Sequence, residues 1–341
     1  VNNPRFFKSL PLALALALGL GLTACRDQDG ACRPDAAADA PAVALPLQRL
    51  ETPFFQLKNP GEVAQFMTRY PLFARYYLQR QPGNEAALAN ALAQLATSPE
   101  LAKLKRQTDT AFGDSATLRK DLGELMRRVH YYFPDFKTPQ AYTYVSGFQG
   151  KDIYVSDSLL VLSLDWFAGP GASYRPDLPQ YMLRRYTPSH LLPTLATTMA
   201  SKYNKHELTA NTTLDAMVNS GKALYFASQV LPCTPDSLIM GFTAKEMAGV
   251  EANEGKVWGH FLEKNLLFAT TPFLIQKYVS ERPNVPEIDR TAPGRIGQWV
   301  GLQIVRKYMA EHPSVTLPQL MAERNAQKLL NDSHYRPKRD N

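Results

Sequence analysis

The sequence predicts an α+β domain dominated by helices, with one small sheet of three or four strands and helices before and after it. Three observations predict this class. From Leu47 onward, apolar residues recur mostly at three- and four-residue spacing, the pattern of amphipathic helices. Between Ala141 and Asp165 the texture changes to short runs rich in Tyr, Val and Ile, broken by Gly147, Gly150 and Ser156-Asp157. At 45% hydrophobic and 20% charged over 341 residues, the chain buries a substantial core, which excludes the disordered class. No internal repeat and no composition break divides the region after residue 46, so a single domain over 47–341 is expected.

The first element is a leader. Arg5 and Lys8 precede the apolar run LPLALALALGLGL from Leu10 to Leu22, which is too short to span a bilayer comfortably but suits a signal-peptide hydrophobic region. It ends in Leu22-Thr23-Ala24-Cys25, where small residues admit a peptidase and a cysteine thiol accepts acyl chains. This looks like the lipobox of bacterial lipoproteins. The expectation is a signal peptide over 1–24 and a lipid such as palmitate on Cys25, with no other cofactor. Each buried methylene of such an anchor adds about 0.8 kcal/mol. Residues 25–46, rich in Ala, Asp and Pro, lack periodicity and read as a flexible tether. Cys32 sits in that tether and Cys233 in an LPCTPD segment. A disulfide between them suits an oxidising compartment, yet two unpaired thiols are expected from their settings.

Helix signals come next along the chain. Asn59-Pro60-Gly61-Glu62 and Ser98-Pro99-Glu100 each join a capping side chain, a proline in the first turn and an acid. Leu118, Leu122, Leu125, Met126 and Val129 mark a longer helix that stops near Phe133-Pro134. Then come AYTYVSGF, DIYVS and LLVLSLD, read as three hairpin-connected strands, the last apolar nearly throughout and therefore central. Helices resume after Pro188 and through Leu214, Met217, Val218 and Leu224. Thr243-Ala244-Lys245-Glu246 has the form of a capping box. A helix from Pro293 is apolar on nearly every side and belongs in the core, and its Gly297 and Gly301 allow another backbone to come close.

No complete catalytic set emerges. The formal charge of +7 falls to +5 without Arg5 and Lys8, and the basic pairs are short, which argues against nucleic acid as a partner. His206-Glu207 lacks the second histidine a zincin helix needs, since Ala210 stands there. Glu254 shares a helical face with Val250, Val257, Trp258 and Phe261, and a buried acid needs a partner. An ion pair with Arg295 or Arg306 is the expected one. Two further readings stay open. One is a metal-dependent hydrolase built around Glu251, Glu254 and His260; the other is a lipid- or glycan-binding module using the Tyr and Trp side chains.

Several segments, taken together and in order, resemble the gliding motility-associated lipoprotein GldB family of Bacteroidetes. They are the lipobox, RYPLFARYY from Arg69, YYFPDF from Tyr131, YTYVSGF from Tyr142, LSLDWFAG from Leu162 and GKALYFASQVLPCTPDSLIMGFT from Gly221. NEGKVW from Asn253, LLFATTPF from Leu266, PGRIGQWVGLQIVRKYM from Pro293 and SHYRPK from Ser333 complete the series. That family in turn is similar to degenerate zinc peptidases, which implies a zincin-like architecture lacking the metal site. Where an active relative carries the third zinc ligand, this chain has Ser220, and HLLPTLATTMASKYN upstream offers only His190. The resemblance implies a non-enzymatic envelope protein, facing the periplasm rather than the cell surface and contacting other proteins of the gliding and secretion machinery. Glu254, Trp258 and Arg295 then belong to the fold rather than to catalysis.

Overall fold

The computed structural model describes residues 32–206 and 211–337. The leader, Cys25 and the first part of the tether lie outside the described residues, as does Glu207 of the His206-Glu207 pair.

Four strands form one sheet: β1 (Leu47–Arg49), β2 (Gln140–Tyr144), β3 (Ile153–Val155) and β4 (Leu159–Ser163), in spatial order β1-β2-β4-β3. The apolar strand β4 is central, as its sequence requires. Only β3 and β4 make a hairpin, though; β1 pairs with β2 and β2 with β4 in parallel, with Tyr142 opposite Val161. The expected run of hairpins is therefore corrected. After β2 the chain crosses to the far edge as β3, and β4 then fills the slot between them. Asp165 holds that crossover. Its buried carboxylate accepts from the backbone N–H groups of Ser146 (3.1 Å) and Phe148 (2.9 Å), and from the Ser146 hydroxyl. Burial pushes the Asp165 carboxyl up while those donors pull against it.

Alternation along the strands gives the sheet two covered faces. Tyr142, Tyr144, Leu159 and Val161 face the N-terminal helices: α1 (Glu51–Phe54), α2 (Pro60–Arg69), a π-helical turn (Phe73–Tyr77) and α3 (Glu85–Thr97). Phe54, Phe66 and Phe73 pack there edge-on against each other and the tyrosines, with Phe54 and Tyr144 centroids 5.1 Å apart. Ala141, Leu160 and Leu162 face the larger core. That core collects α5 (Ala116–Tyr132), α7 (Pro188–Ala200) and α8 (Thr213–Val230), while α4 (Pro99–Phe112) makes a small cluster of its own with Val145 and α6 is the short Gln180–Leu183 turn. It continues through α9 (Asp236–Met240), α10 (Ala244–Ala252), α11 (Glu254–Glu263), α12 (Pro272–Val279), α13 (Ile296–Glu311), α14 (Leu317–Ala322) and α15 (Ala326–Ser333).

The local helix signals are realised. The Asn59 and Ser98 side chains accept from the N–H groups of Glu62 (3.0 Å) and Leu101 (3.2 Å), and Thr243 and Glu246 form the reciprocal capping box. Helix α13 starts at Ile296 rather than at Pro293 because Arg295 takes a left-handed conformation, φ 63°. Its Gly301 does bring another backbone close. A Cβ there would lie 1.8 Å from the Met217 carbonyl oxygen on α8, and one on Gly221 would lie 2.3 Å from the Gly301 carbonyl carbon. These two helices cross glycine against glycine.

The segment read as a tether is docked over its described part. Cys32 is disulfide-bonded to Cys233, which overturns the expectation of two free thiols. The local settings of the two cysteines hid this, because the pairing depends on the charged residues just after Cys32. Arg33 bonds the carbonyl oxygen of Thr234 (3.0 Å) and pairs with Asp236, which Arg306 also holds at 2.7 Å. Asp35 accepts from Arg128 (2.8 Å) and Arg127 (3.4 Å) on α5. Burial works against the Asp236 carboxylate, but the guanidiniums of Arg306 and Arg33 hold it below its usual range. Ala37 is fully buried, and Val43 and Leu45 rest on the larger core. From Cys32 onward the chain belongs to the compact unit.

Candidate functional site

Glu254 opens α11 and is half-buried, not fully enclosed. Its partner is neither Arg295 nor Arg306. The Tyr335 hydroxyl donates to Glu254 Oε1 at 2.8 Å, and Trp258, one turn along, meets the Tyr335 ring edge-on with centroids 5.1 Å apart. Burial, and then the neighbouring carboxylate, push the Tyr335 hydroxyl far up, so it remains a donor. The triad ties the C-terminal SHYRPK segment to α11. Tyr335→Phe leaves a carboxylate without its donor and is expected to cost about 1 kcal/mol, whereas Glu254→Gln keeps an acceptor and costs less. Urea titration of the two variants checks the order; equal losses would remove the hydrogen bond from the account.

Arg295, expected beside Glu254, points elsewhere. Its Nε donates to Gln298 Oε1 at 3.2 Å and lies 3.5 Å from Glu281. Burial, then the positive charge of Arg185, lower its guanidinium to about 10. Arg184 pairs with Glu246 and Arg185 with Glu281, each at 2.7 Å. Arg185 and Arg295 thus meet beside Gly241, where a Cβ would lie 2.2 Å from Arg185 Cδ and 3.3 Å from an Arg295 guanidinium nitrogen. Arg306 is occupied by Asp236. The ion pair expected for Glu254 fails because its two candidate cations serve acids on other elements, which helical spacing around Glu254 does not reveal.

The residues of the hydrolase reading are not assembled into one ligand set. His260 Nε2 is 2.9 Å from the Tyr278 hydroxyl, Glu254 is held by Tyr335, and Glu251 is exposed at the end of α10. Among the described residues, no group of three or more His, Cys, Asp and Glu side chains is placed to hold a metal ion. Ser220 donates back to Ala216 O within α8. His190, in the first turn of α7, has Nδ1 2.7 Å from Thr187 Oγ1. Burial, then Arg185 and Arg184, lower its pKa to about 4. A histidine with a depressed folded pKa stays neutral while the unfolded chain takes up a proton below about 6.5. Stability is therefore expected to fall between pH 6.5 and pH 4, by about 1 kcal/mol once solvent screening at this partly exposed site is allowed for. The difference between the urea midpoints at pH 7 and pH 4.5 should shrink in His190→Gln; an unchanged difference would assign the effect to other groups.

Sequence reasoning missed Lys222. This lysine is buried in α8, and its Nζ donates to the carbonyl oxygens of Lys205 (2.6 Å), Glu323 (2.6 Å) and Met321 (3.4 Å). Burial lowers it to about 8, with Glu323 opposing. All three protons are engaged, so it acts as a pin between the chain after α7 and the turn after α14 rather than as a free nucleophile. A lysine inside GKALYFASQV gives no local sign of this, because its acceptors are backbone groups up to 101 residues away.

The sequence profile of the gliding motility protein GldB family matches residues 31–337. The chain belongs to this family. The match begins beside Cys32 and ends where the described C-terminal segment ends, so the docked strap, the sheet and the glycine crossing all lie within what the GldB profile covers. No curated protein and no solved structure matches the chain. Membership makes it a gliding motility-associated lipoprotein, and with it an association with the cell envelope and the motility machinery. No helix among the described residues is long and apolar enough to cross a membrane.

Proposed function

We propose that this GldB-family lipoprotein is anchored through a lipid on Cys25, faces the periplasm, and serves the gliding and associated secretion machinery by binding other envelope proteins rather than by catalysis. The family match over 31–337 carries the reading. The sequence Leu22-Thr23-Ala24-Cys25 supports the anchor, and the Cys32–Cys233 disulfide suits an oxidising compartment outside the cytoplasm. Glu254 and His260, the polar groups a hydrolase reading would recruit, are engaged with Tyr335 and Tyr278. The proposed zincin-like ancestry is supported by the segment Gly221-Lys222-Ala223-Leu224-Tyr225-Phe226, while Ser220 and the lone His190 upstream are where it departs from a working zinc site.

The test is a chromosomal deletion complemented with wild type, Cys25→Ser and Glu254→Gln. Loss of spreading and of adhesin export is expected in the deletion and in Cys25→Ser, with restoration by wild type and Glu254→Gln. Crosslinking in native envelopes should capture partners with wild type and lose them with Cys25→Ser. An unchanged deletion strain would remove the motility role. Near-stoichiometric zinc or iron in the purified domain, lost on Glu254→Ala without unfolding, would establish the hydrolase instead.

A further inference from the structure

A cavity of about 160 Å³ opens between α5, the end of α7 and strand β4. Met126, Phe136, Leu160 and Met199 give it an apolar floor. Its mouth lies beside Ser201, which is exposed, and beside the ion pair of Lys202 with Asp157. The Tyr203 ring lines the remaining wall, stacked on Phe133 with centroids 3.8 Å apart. Its hydroxyl oxygen is buried, and among the described residues it has no hydrogen-bond partner. Burial and the nearby Asp157 carboxylate push that hydroxyl up to about 12, so it is a donor without an acceptor.

The dimensions select the occupant. Pockets for free metabolites usually span about 300–1,000 Å³, well above this volume. An apolar cavity near 150 Å³ takes one benzene-sized ring and does not stabilise a water cluster. Two methionine thioethers favour an aromatic guest, since sulfur–ring contacts are attractive and methionine adapts its shape. One ring seated in an apolar socket, with a single hydrogen bond and a polar rim, is how a partner's anchor residue is held at protein–protein interfaces. We propose that this cavity receives one aromatic side chain of an envelope partner protein, whose carbonyl group accepts the hydrogen bond from Tyr203. This rests on the reading of the protein as a contact protein and names the socket through which contact is made.

Methionine methyl groups report on the socket directly, because Met126 and Met199 lie in its floor. The probe is N-acetyl-phenylalanine amide, titrated into ¹³C-methyl-methionine protein, with N-acetyl-alanine amide and hexanoate as the other arms. The Met126 and Met199 signals should move with the phenylalanine probe alone. Tyr203→Phe should weaken that binding at least fivefold while melting at or above the wild-type temperature, and Ser201→Trp, at an exposed position, should abolish it. Silent Met126 and Met199 signals overturn the proposal, as does tighter binding of hexanoate, which would make the cavity an acyl site. Partner crosslinking in cells separates this proposal from the function it rests on. Loss of crosslinks in Ser201→Trp, with the protein folded and lipidated, supports the socket. Full crosslinking by Ser201→Trp sinks the socket alone, and a deletion without phenotype sinks the motility reading.

Discussion

Gly301→Ala is expected to destabilise the domain by at least about 4 kcal/mol, and Gly301→Leu to leave no folded protein. The new Cβ would sit 1.8 Å from the Met217 carbonyl oxygen, a backbone atom in the second turn of α8 that has no rotamer to give way. Relief requires α8 and α13 to part, and the pair carries Val218, Leu224, Ile304 and Val305 into the main core. Separation would open voids along the whole contact, each with its own packing cost. Gly249, on α10, is the control: nothing lies within 4 Å of its Cβ position, so Gly249→Ala should be neutral or up to about 1 kcal/mol stabilising. Thermal melts of the three variants check the series. A Gly301→Ala melting temperature within a degree or two of wild type would show that the helices are not locked backbone to backbone.

The second large effect concerns Cys233→Ser. The bond it removes spans 201 residues, and closing so long a loop in the unfolded chain accounts for up to about 5 kcal/mol on the chain-entropy view. A loss of about 3–5 kcal/mol is expected, which for a chain of this size lowers the melting temperature by about 5–10 °C. The local consequence is distinct. With the bond gone, the strap is held by Arg33 on Asp236, by Asp35 on Arg127 and Arg128, and by the buried Ala37. Residues 33–46 should then become the first site of limited proteolysis. Treatment with dithiothreitol should reproduce the shift in wild type and add nothing in Cys233→Ser. A reductant-insensitive melt would mean that the disulfide contributes nothing to global stability.

Features decided by neighbours in the chain were legible in the sequence. Asn59, Ser98 and Thr243 announce their helices because a cap and its acceptor lie three residues apart. LLVLS announces a central strand because it is apolar on both faces, and Gly301 announces a close crossing because it interrupts an otherwise bulky apolar helix. The failures share a different cause. Glu254 and Tyr335 are 81 residues apart, and nothing near Glu254 distinguishes a phenolic partner from a cationic one. Parallel pairing of β2 with β4 depends on the route of the crossover, which Asp165 sets from outside the strands. The Cys32 segment is poor in large apolar residues, so composition alone reads it as free. Its docking comes from charges that meet Asp236, Arg127 and Arg128 only after the fold has formed.

That docking also bears on how far the domain could travel from a bilayer under the proposed anchoring. For a lipid on Cys25, the docked Cys32 follows seven residues on, at most about 25 Å of chain, where a chain first held at residue 46 would allow about 75 Å. Under the proposed anchoring, that limit would hold the body within a shell about one domain deep and raise its local concentration toward anything embedded beneath it. Such anchoring would therefore favour partners rooted in the same membrane leaflet over those across a wide aqueous gap.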